Sequence, residues 1–172
     1  MMKTGVFYGT SSGNTQTIAQ MIAKEFTPVA KLHNVEHSLP IELESYELLI
    51  FGIPTWGLGN LQYDWEKFIG QIKHVDLTRK YTALFGLGDQ VNYPDTFLDG
   101  LGLLYETLKD RTNIIGFWTP EHYSFIRSRA LINGQLAGLA IDQDNEESLS
   151  AKRISRWCAL LKNAVKWEHN SE

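Results

Sequence analysis

Short apolar runs alternate with stretches of helical period along most of the chain, and that alternation limits the possible architecture more than any other property of the sequence. Strand-like runs lie at Lys3 to Tyr8, Val29 to Asn34, Leu48 to Ile53, Tyr81 to Gly86 and Asn113 to Trp118. Between them, Ile18, Ile22 and Phe26 mark a first helix, and Trp65, Phe68, Ile69 and Ile72 a second. Phe97, Leu101, Leu104 and Leu108 mark a third, and Ile154, Trp157, Leu161 and Val165 the last. Only the stretch between the second and third runs lacks a helical period. The pattern predicts an α/β fold, a doubly wound parallel sheet with helices on both faces and right-handed crossovers. At 172 residues the chain is expected to be one domain over 1–172, with no repeat or linker.

In such sheets a ligand sits beyond the carboxyl ends of the strands, where strand order reverses. The loop after the first strand reads "YGTSSGNT", Tyr8 to Thr15, and leads into the first helix. A helix's first turn has unpaired N–H groups and partial positive charge, so this junction is suited to an anion. Gly9 and Gly13 enclose three residues rather than four, and Asn14 stands where a triphosphate-binding loop needs its lysine. The dinucleotide pattern fails as well, because Ser11 occupies its second glycine. What remains is a cradle of neutral donors: the Thr10, Ser11, Ser12 and Thr15 hydroxyls, the Asn14 amide and backbone N–H groups. That set suits one phosphomonoester held without metal. A Ser- and Thr-rich capping turn is the plainer alternative.

Two further loops leave strand ends: Pro54 to Asn60, "PTWGLGN", and Leu87 to Asp95, "LGDQVNYPD". Each places one large aromatic, Trp56 or Tyr93, among glycines, prolines and polar groups. Singly either could be an ordinary packing residue. On two loops beside a phosphate cradle they form a sandwich for a flat aromatic ligand. The formal charge of −4 argues against a nucleic-acid partner. Met1 to Lys3 run straight into a strand, so no signal peptide is expected. The longest apolar run, Leu48 to Ile53, is far too short to span a bilayer. With the single Cys158, a reducing cytoplasm is the expected setting.

Four collinear motifs, "GTSSGNT", "PTWGLGNLQYDW", "FGLGDQVNYPDTFLDGLG" and "GLAIDQDN", resemble the flavodoxins, specifically the long-chain class, over essentially the whole chain. The resemblance implies five parallel strands in the order 2-1-3-4-5, with a long-chain insertion at about 119–135 inside a split fifth strand. It also implies noncovalently bound FMN and a low-potential one-electron carrier, not itself a catalyst. Such a carrier would be a monomer that meets a flavodoxin reductase-type donor and an acceptor enzyme transiently, with no membrane partner. By position, Thr10, Ser11, Ser12, Gly13, Asn14 and Thr15 would hold the phosphate. Trp56 and Tyr93 would stack on the flavin, within walls that include Pro54, Thr55, Gly59, Leu87 and Asp95. Gly57 and Leu58 would supply a peptide that turns with redox state, with Trp56 to Gly59 as a type II′ turn allowed by Gly57. Gly88, Asp89 and Thr96 would line the pyrimidine edge. Aromatic plates, nearby carboxylates and an uncompensated phosphate would oppose a second negative charge, making the second reduction difficult.

The chain departs from that family in its weak acidity, with Arg127 and Arg129 in the insertion and Lys152, Arg153 and Arg156 on the last helix. Gly57 also stands where long-chain relatives often carry Asn or Asp, and Thr96 where Asn is more often expected. The alternative reading is an FMN-dependent reductase of quinones or other small acceptors. It requires an open flavin face, which two aromatic plates would occupy. A receiver-like regulatory domain requires an acidic pocket that the Gly9 loop does not supply. His33 and His37 fall on a strand and the following loop and are not expected to form a metal pair. Cys158 lies at helical spacing and reads as a packed thiol. "GLGLLYE" reads as helix packing, and Glu146 and Glu147 as a solvated helix start.

Overall fold

A computed structural model describes residues 1–56 and 59–167, Trp56 by its backbone alone. In chain order the elements are β1 (Thr4–Tyr8), α1 (Asn14–Glu25), β2 (Ala30–Asn34), a 3-10 helix (Pro40–Ser45), β3 (Leu48–Trp56), β4 (Asn60–Leu61) and α2 (Tyr63–Ile72). They continue with β5 (Tyr81–Leu87), α3 (Asp99–Leu108), β6 (Asn113–Ile115), β7 (Leu131–Ile132), β8 (Gln135–Leu136), β9 (Leu139–Ile141) and α4 (Gln143–Val165). The 3-10 helix occupies the stretch without helical period.

The parallel sheet runs β2-β1-β3-β5, and the outer edge of β5 is shared by β6 and β9. Counting those two as one split strand gives the expected order 2-1-3-4-5. β6 pairs with Tyr81–Ala83 and β9 with Phe85–Leu87. The run expected to reach Trp118 leaves the sheet after Ile115, where Gly116 has φ +82°. Trp118 instead bridges to Leu136. Within this excursion, Asn133 and Gly134, both at positive φ, close the small β7–β8 hairpin.

The central strands are buried on both faces, as a parallel sheet under helices requires. On one side, Trp65 and Phe68 of α2 meet Phe51 and Phe7, and the Trp65 indole donates to the Gly52 carbonyl at 2.7 Å. α1 and α4 pack together on the other side, where Ile18, Ile22, Ile154, Trp157 and Leu161 are buried. Cys158 is buried in the same layer, and desolvation pushes its thiol up to about 12. Gly100 and Gly102 sit where α3 presses on the Pro54 carbonyl and on Arg129, so "GLGLLYE" is a packing motif. Among the described residues no helix is long and apolar enough to cross a membrane.

Gly138 is where the chain rejoins the sheet. A Cβ there would stand 1.9 Å from the Leu84 carbonyl oxygen, a backbone atom that cannot yield without breaking the ladder. Gly138→Ala is expected to destabilise the protein by about 3 kcal/mol, the upper end of overpacking costs. Urea unfolding followed by circular dichroism measures it.

Candidate functional site

Beyond the carboxyl ends of β1, β3 and β5 lies a cavity of about 210 Å³. Ser12, Asn14 and Thr15 line it from the start of α1, and Pro54 and Thr55 from the end of β3. Leu87, Gly88, Asp89, Tyr93, Thr96 and Phe97 line it from the loop after β5, and Gln143 and Asp144 from the start of α4.

The anion end is built from backbone. Gly13 takes φ +91°, a conformation open to glycine at little cost, and its N–H is held by the Thr10 hydroxyl at 2.9 Å. This latch aims the first turn of α1 at the cavity. The earliest i→i−4 bond at this end is Thr17 N–H to the Gly13 carbonyl, leaving the N–H groups of residues 14–16 without an intrahelical acceptor. No acidic residue sits in that turn to neutralise the dipole.

The opposite wall is organised by Asp89. Its Oδ1 accepts the Val91 and Asn92 N–H groups and the Asn145 amide at 2.9–3.1 Å, and its Oδ2 accepts the Asn92 amide. Partial burial opposes ionisation, but the hydrogen bonds from Asn92, Asn145 and Val91 prevail and hold the carboxyl below the ordinary range. The same turn brings Tyr93 to the cavity, its N–H on the Asp89 carbonyl. Phe97, beneath, stacks on Phe125 of the excursion at 5.2 Å. Asp144 is shifted the other way: desolvation, then repulsion from Asp89 and Asp142, raises its pKa.

The structure therefore brings ten of the expected residues to one cavity: Ser12, Asn14, Thr15, Pro54, Thr55, Leu87, Gly88, Asp89, Tyr93 and Thr96. Thr10, Ser11, Gly13, Gly59 and Asp95 lie off its wall. Thr10 and Gly13 shape the loop, and the Ser11 hydroxyl accepts Gln62 Nε2 at 3.4 Å. Gly59 (φ +93°) packs against Asp99, and Asp95 faces Arg127 at 3.9 Å. The Trp56 side chain, Gly57 and Leu58, with the expected turn, lie outside the described residues. Thr55 and Trp56 pair antiparallel with Leu61 and Asn60.

Phe97, Gln143 and Asp144 line the cavity without having been singled out for it. Phe97 carried a helix-core pattern, and the other two depend on where β9 delivers α4. Asp142, Gln143 and Asp144 follow β9 directly, and Asp142 caps the helix by accepting from the Asn145 N–H, a D-x-x-N signal present in the sequence. Glu146 is not solvated as expected: it accepts from Arg153 at 3.0 Å and from Gln90, because a kink at this residue turns it inward. Arg153 is correspondingly buried, its guanidinium 4.3 Å from the Tyr123 ring centroid, and does not belong to the exposed basic residues. His33 stacks on Phe7 and bonds the Tyr46 hydroxyl, while His37 is exposed beside Glu36. Among the described residues no three His, Cys, Asp or Glu side chains come together in a cluster that could hold a metal ion.

A family model described as Flavodoxin matches residues 6–157. Among known proteins the chain is 42% identical over 163 residues to the flavodoxin of a Nostoc species, covering 94% of this chain and 96% of that one. It is 39% identical over 160 residues to flavodoxin 1 of Escherichia coli, covering 91% of each. Among solved structures it resembles a Fusobacterium nucleatum flavodoxin bound to flavin mononucleotide, at a TM-score of 0.90 and 29% identity, covering 95% and 99% of the two chains.

The opposed shifts of Asp89 and Asp144 give opposite pH dependences. Asp89, lowered on folding, contributes stability above its unfolded pKa and loses it as pH falls through the folded value. Asp144, raised on folding, contributes below its unfolded pKa and becomes a cost as pH rises through the folded value. Asp144→Asn is therefore expected to raise the urea midpoint near neutral pH, with the gain disappearing once the native aspartate is protonated. Denaturation across the acid range measures both limbs.

Proposed function

The chain belongs to the flavodoxin family, whose members are FMN-binding electron carriers rather than enzymes, and from that premise we propose that the cavity at the strand ends holds FMN with its phosphate on α1 and its ring against Tyr93. The observation that carries this reading is the pairing of a lysine-free, acid-free helix start with an aromatic, carboxylate-bearing loop across one cavity. The donors suit a phosphate that needs no metal, and the part of the cavity lined by the Tyr93 loop and Pro54–Thr55 is where the ring system would lie.

Bound FMN supplies one-electron chemistry, and its fully reduced form tends to be an anion. The residues around it do the rest. N–H groups of the first turn of α1 and the Thr15 hydroxyl bind the phosphate, and Thr10 keeps their loop in place. Tyr93 covers a ring face and excludes water. Asp89, held ionised by its hydrogen bonds, adds negative charge beside the ring, disfavouring further charge and keeping the final electron weakly held. Trp56, Gly57 and Leu58 take the second stacking position and the redox-responsive peptide by family resemblance.

As an electron carrier the chain works through transient redox partners. We place the donor and acceptor contacts on the rim where Val91, Tyr93 and Ile126 are exposed, the Ile126 and Arg127 N–H groups both bonded to the Pro94 carbonyl. The rim is of mixed charge, since Arg127 stands beside Asp95. We read the chain as one domain acting as a monomer in a reducing cytoplasm.

Titration of the flavin-free protein with FMN tests the reading: one FMN per chain, with riboflavin bound more weakly, is expected, and equal affinities would exclude the phosphate site. Thr15→Val should weaken FMN by about 1–3 kcal/mol through a lost hydrogen bond while leaving riboflavin unchanged. Tyr93→Ala should raise the potential of the second reduction by admitting water to the ring, read by potentiometric titration.

A further inference from the structure

The cavity's far side consists of two walls that belong to different elements, Gly88–Asp89 on the loop after β5 and Gln143–Asp144 on α4. Directly behind them lies Gln90, only 5% exposed, at the centre of a buried hydrogen-bond network. Its backbone N–H and its side-chain amide both donate to Asp142 Oδ2, at 3.2 and 2.8 Å, and the same amide reaches Glu146. Its side-chain carbonyl oxygen, Oε1, accepts the Ser124 N–H of the excursion at 2.6 Å. The Asn145 amide bonds both Asp142 oxygens at 3.0 Å and Asp89 Oδ1 at 2.9 Å.

We propose that Gln90 is a positioning residue for the flavin site, fixing the distance between the Asp89 loop and the start of α4 and tying both to the excursion. The proposal rests on the reading of the cavity as an FMN site. Gln90 does not line the cavity; it acts through Asp142 and, by way of Asn145, through Asp89. A neutral amide is the side chain that fits, because it donates to two carboxylates and accepts from a backbone N–H at once. The charged groups around it are Asp142 and Glu146 in contact, then Asp89, Asp144 and Arg153. Arg153 is paired with Glu146 and lies over Tyr123, whose hydroxyl is pushed up to about 12 by burial and stays protonated. A carboxylate at position 90 would face Asp142 and Glu146, with the Arg153 guanidinium already bonded to Glu146 through Nη2, whereas a protonated carboxyl would keep the acceptor and only one of the amide's two donors.

The test uses the flavin-loaded protein. Gln90→Met keeps length and apolar bulk but loses the amide. It is expected to release FMN and riboflavin about tenfold faster than the parent protein, by the same factor for both, because the ring side is loosened and the phosphate side is not. Gln90→Glu is expected to release flavin more slowly than Gln90→Met near pH 5, where burial between two carboxylates keeps it protonated with one donor and one acceptor, and at least as fast as Gln90→Met near pH 8. Each rate is compared with the parent protein at the same pH. Asn145→Ala, at an exposed position, cuts the link between Asp89 and Asp142 and should speed release of both flavins about threefold, which carries the test if Gln90→Met does not fold. Parent-like release from Gln90→Met, acceleration of FMN alone, or a pH-independent Gln90→Glu relative to the parent would each overturn the assignment. A parent chain that fails to retain FMN would overturn the reading of the cavity itself, and this assignment with it.

Discussion

Strand β5 has one edge left after β3 takes the other, and two strands divide it. β6 takes the first half and β9 the second, so the chain leaves the sheet midway across its last strand and rejoins it in register. Much of the site depends on that shared edge. The rejoining strand supplies the Ile141 carbonyl that accepts the Gly88 N–H at 3.0 Å, anchoring the root of the Asp89 loop. It also sets where Asp142 begins α4, and thus where the far wall of the cavity stands. The departing segment returns Tyr123 and Phe125 beneath Phe97 and carries the Ser124 N–H that meets Gln90. An excursion that looks like an appendage to the sheet is part of the site's foundation.

The two ends of the cavity work by opposite electrostatics. At α1 the partial positive charge of an uncapped helix start is left unopposed, which favours an anion without a mobile cation. Across the cavity, the Asp89 carboxylate is kept ionised by neutral donors, the backbone N–H groups of Val91 and Asn92 and the amides of Asn92 and Asn145. Those donors stabilise the charge locally without cancelling it at a distance, so the ring side remains negative. The separation suits a cofactor whose phosphate needs attraction and whose ring must resist acquiring charge.

Local patterns carried the strands, the helices and the anion loop. β1, β3 and β5 are largely apolar runs, and Ile18, Ile22, Trp157 and Leu161 are buried at the spacing their sequence displays. The Gly13–Asn14 junction was legible because a strand end, a glycine and a helix start occur together. Contributions set by long-range register were not. Phe97 reads as helix core and does pack, yet it also floors the cavity, since what it stacks on lies beyond the next strand. Glu146 reads as a surface acid because polar residues at a helix start usually are. Its inward turn depends on a backbone kink and on Arg153 and Gln90, one of them 56 positions away. The end of the fifth run at Ile115 was missed because the apolar character continues through Phe117 and Trp118, which pack elsewhere. The Asn133–Gly134 hairpin, by contrast, carried a recognisable turn signal.

Cys158 shows how the core bears on the chemistry at its rim. A carrier that holds its last electron weakly will pass electrons to dioxygen when no partner is docked, and the peroxide formed attacks thiolates before other side chains. This chain has one sulfhydryl, enclosed between α4 and the sheet and protonated throughout the physiological range. It offers neither an accessible sulfur to cross-link two copies nor a sulfenic acid to distort the helix that positions Asp142. The molecule can therefore stand in air unpartnered without the peroxide from its own leakage modifying that sulfur.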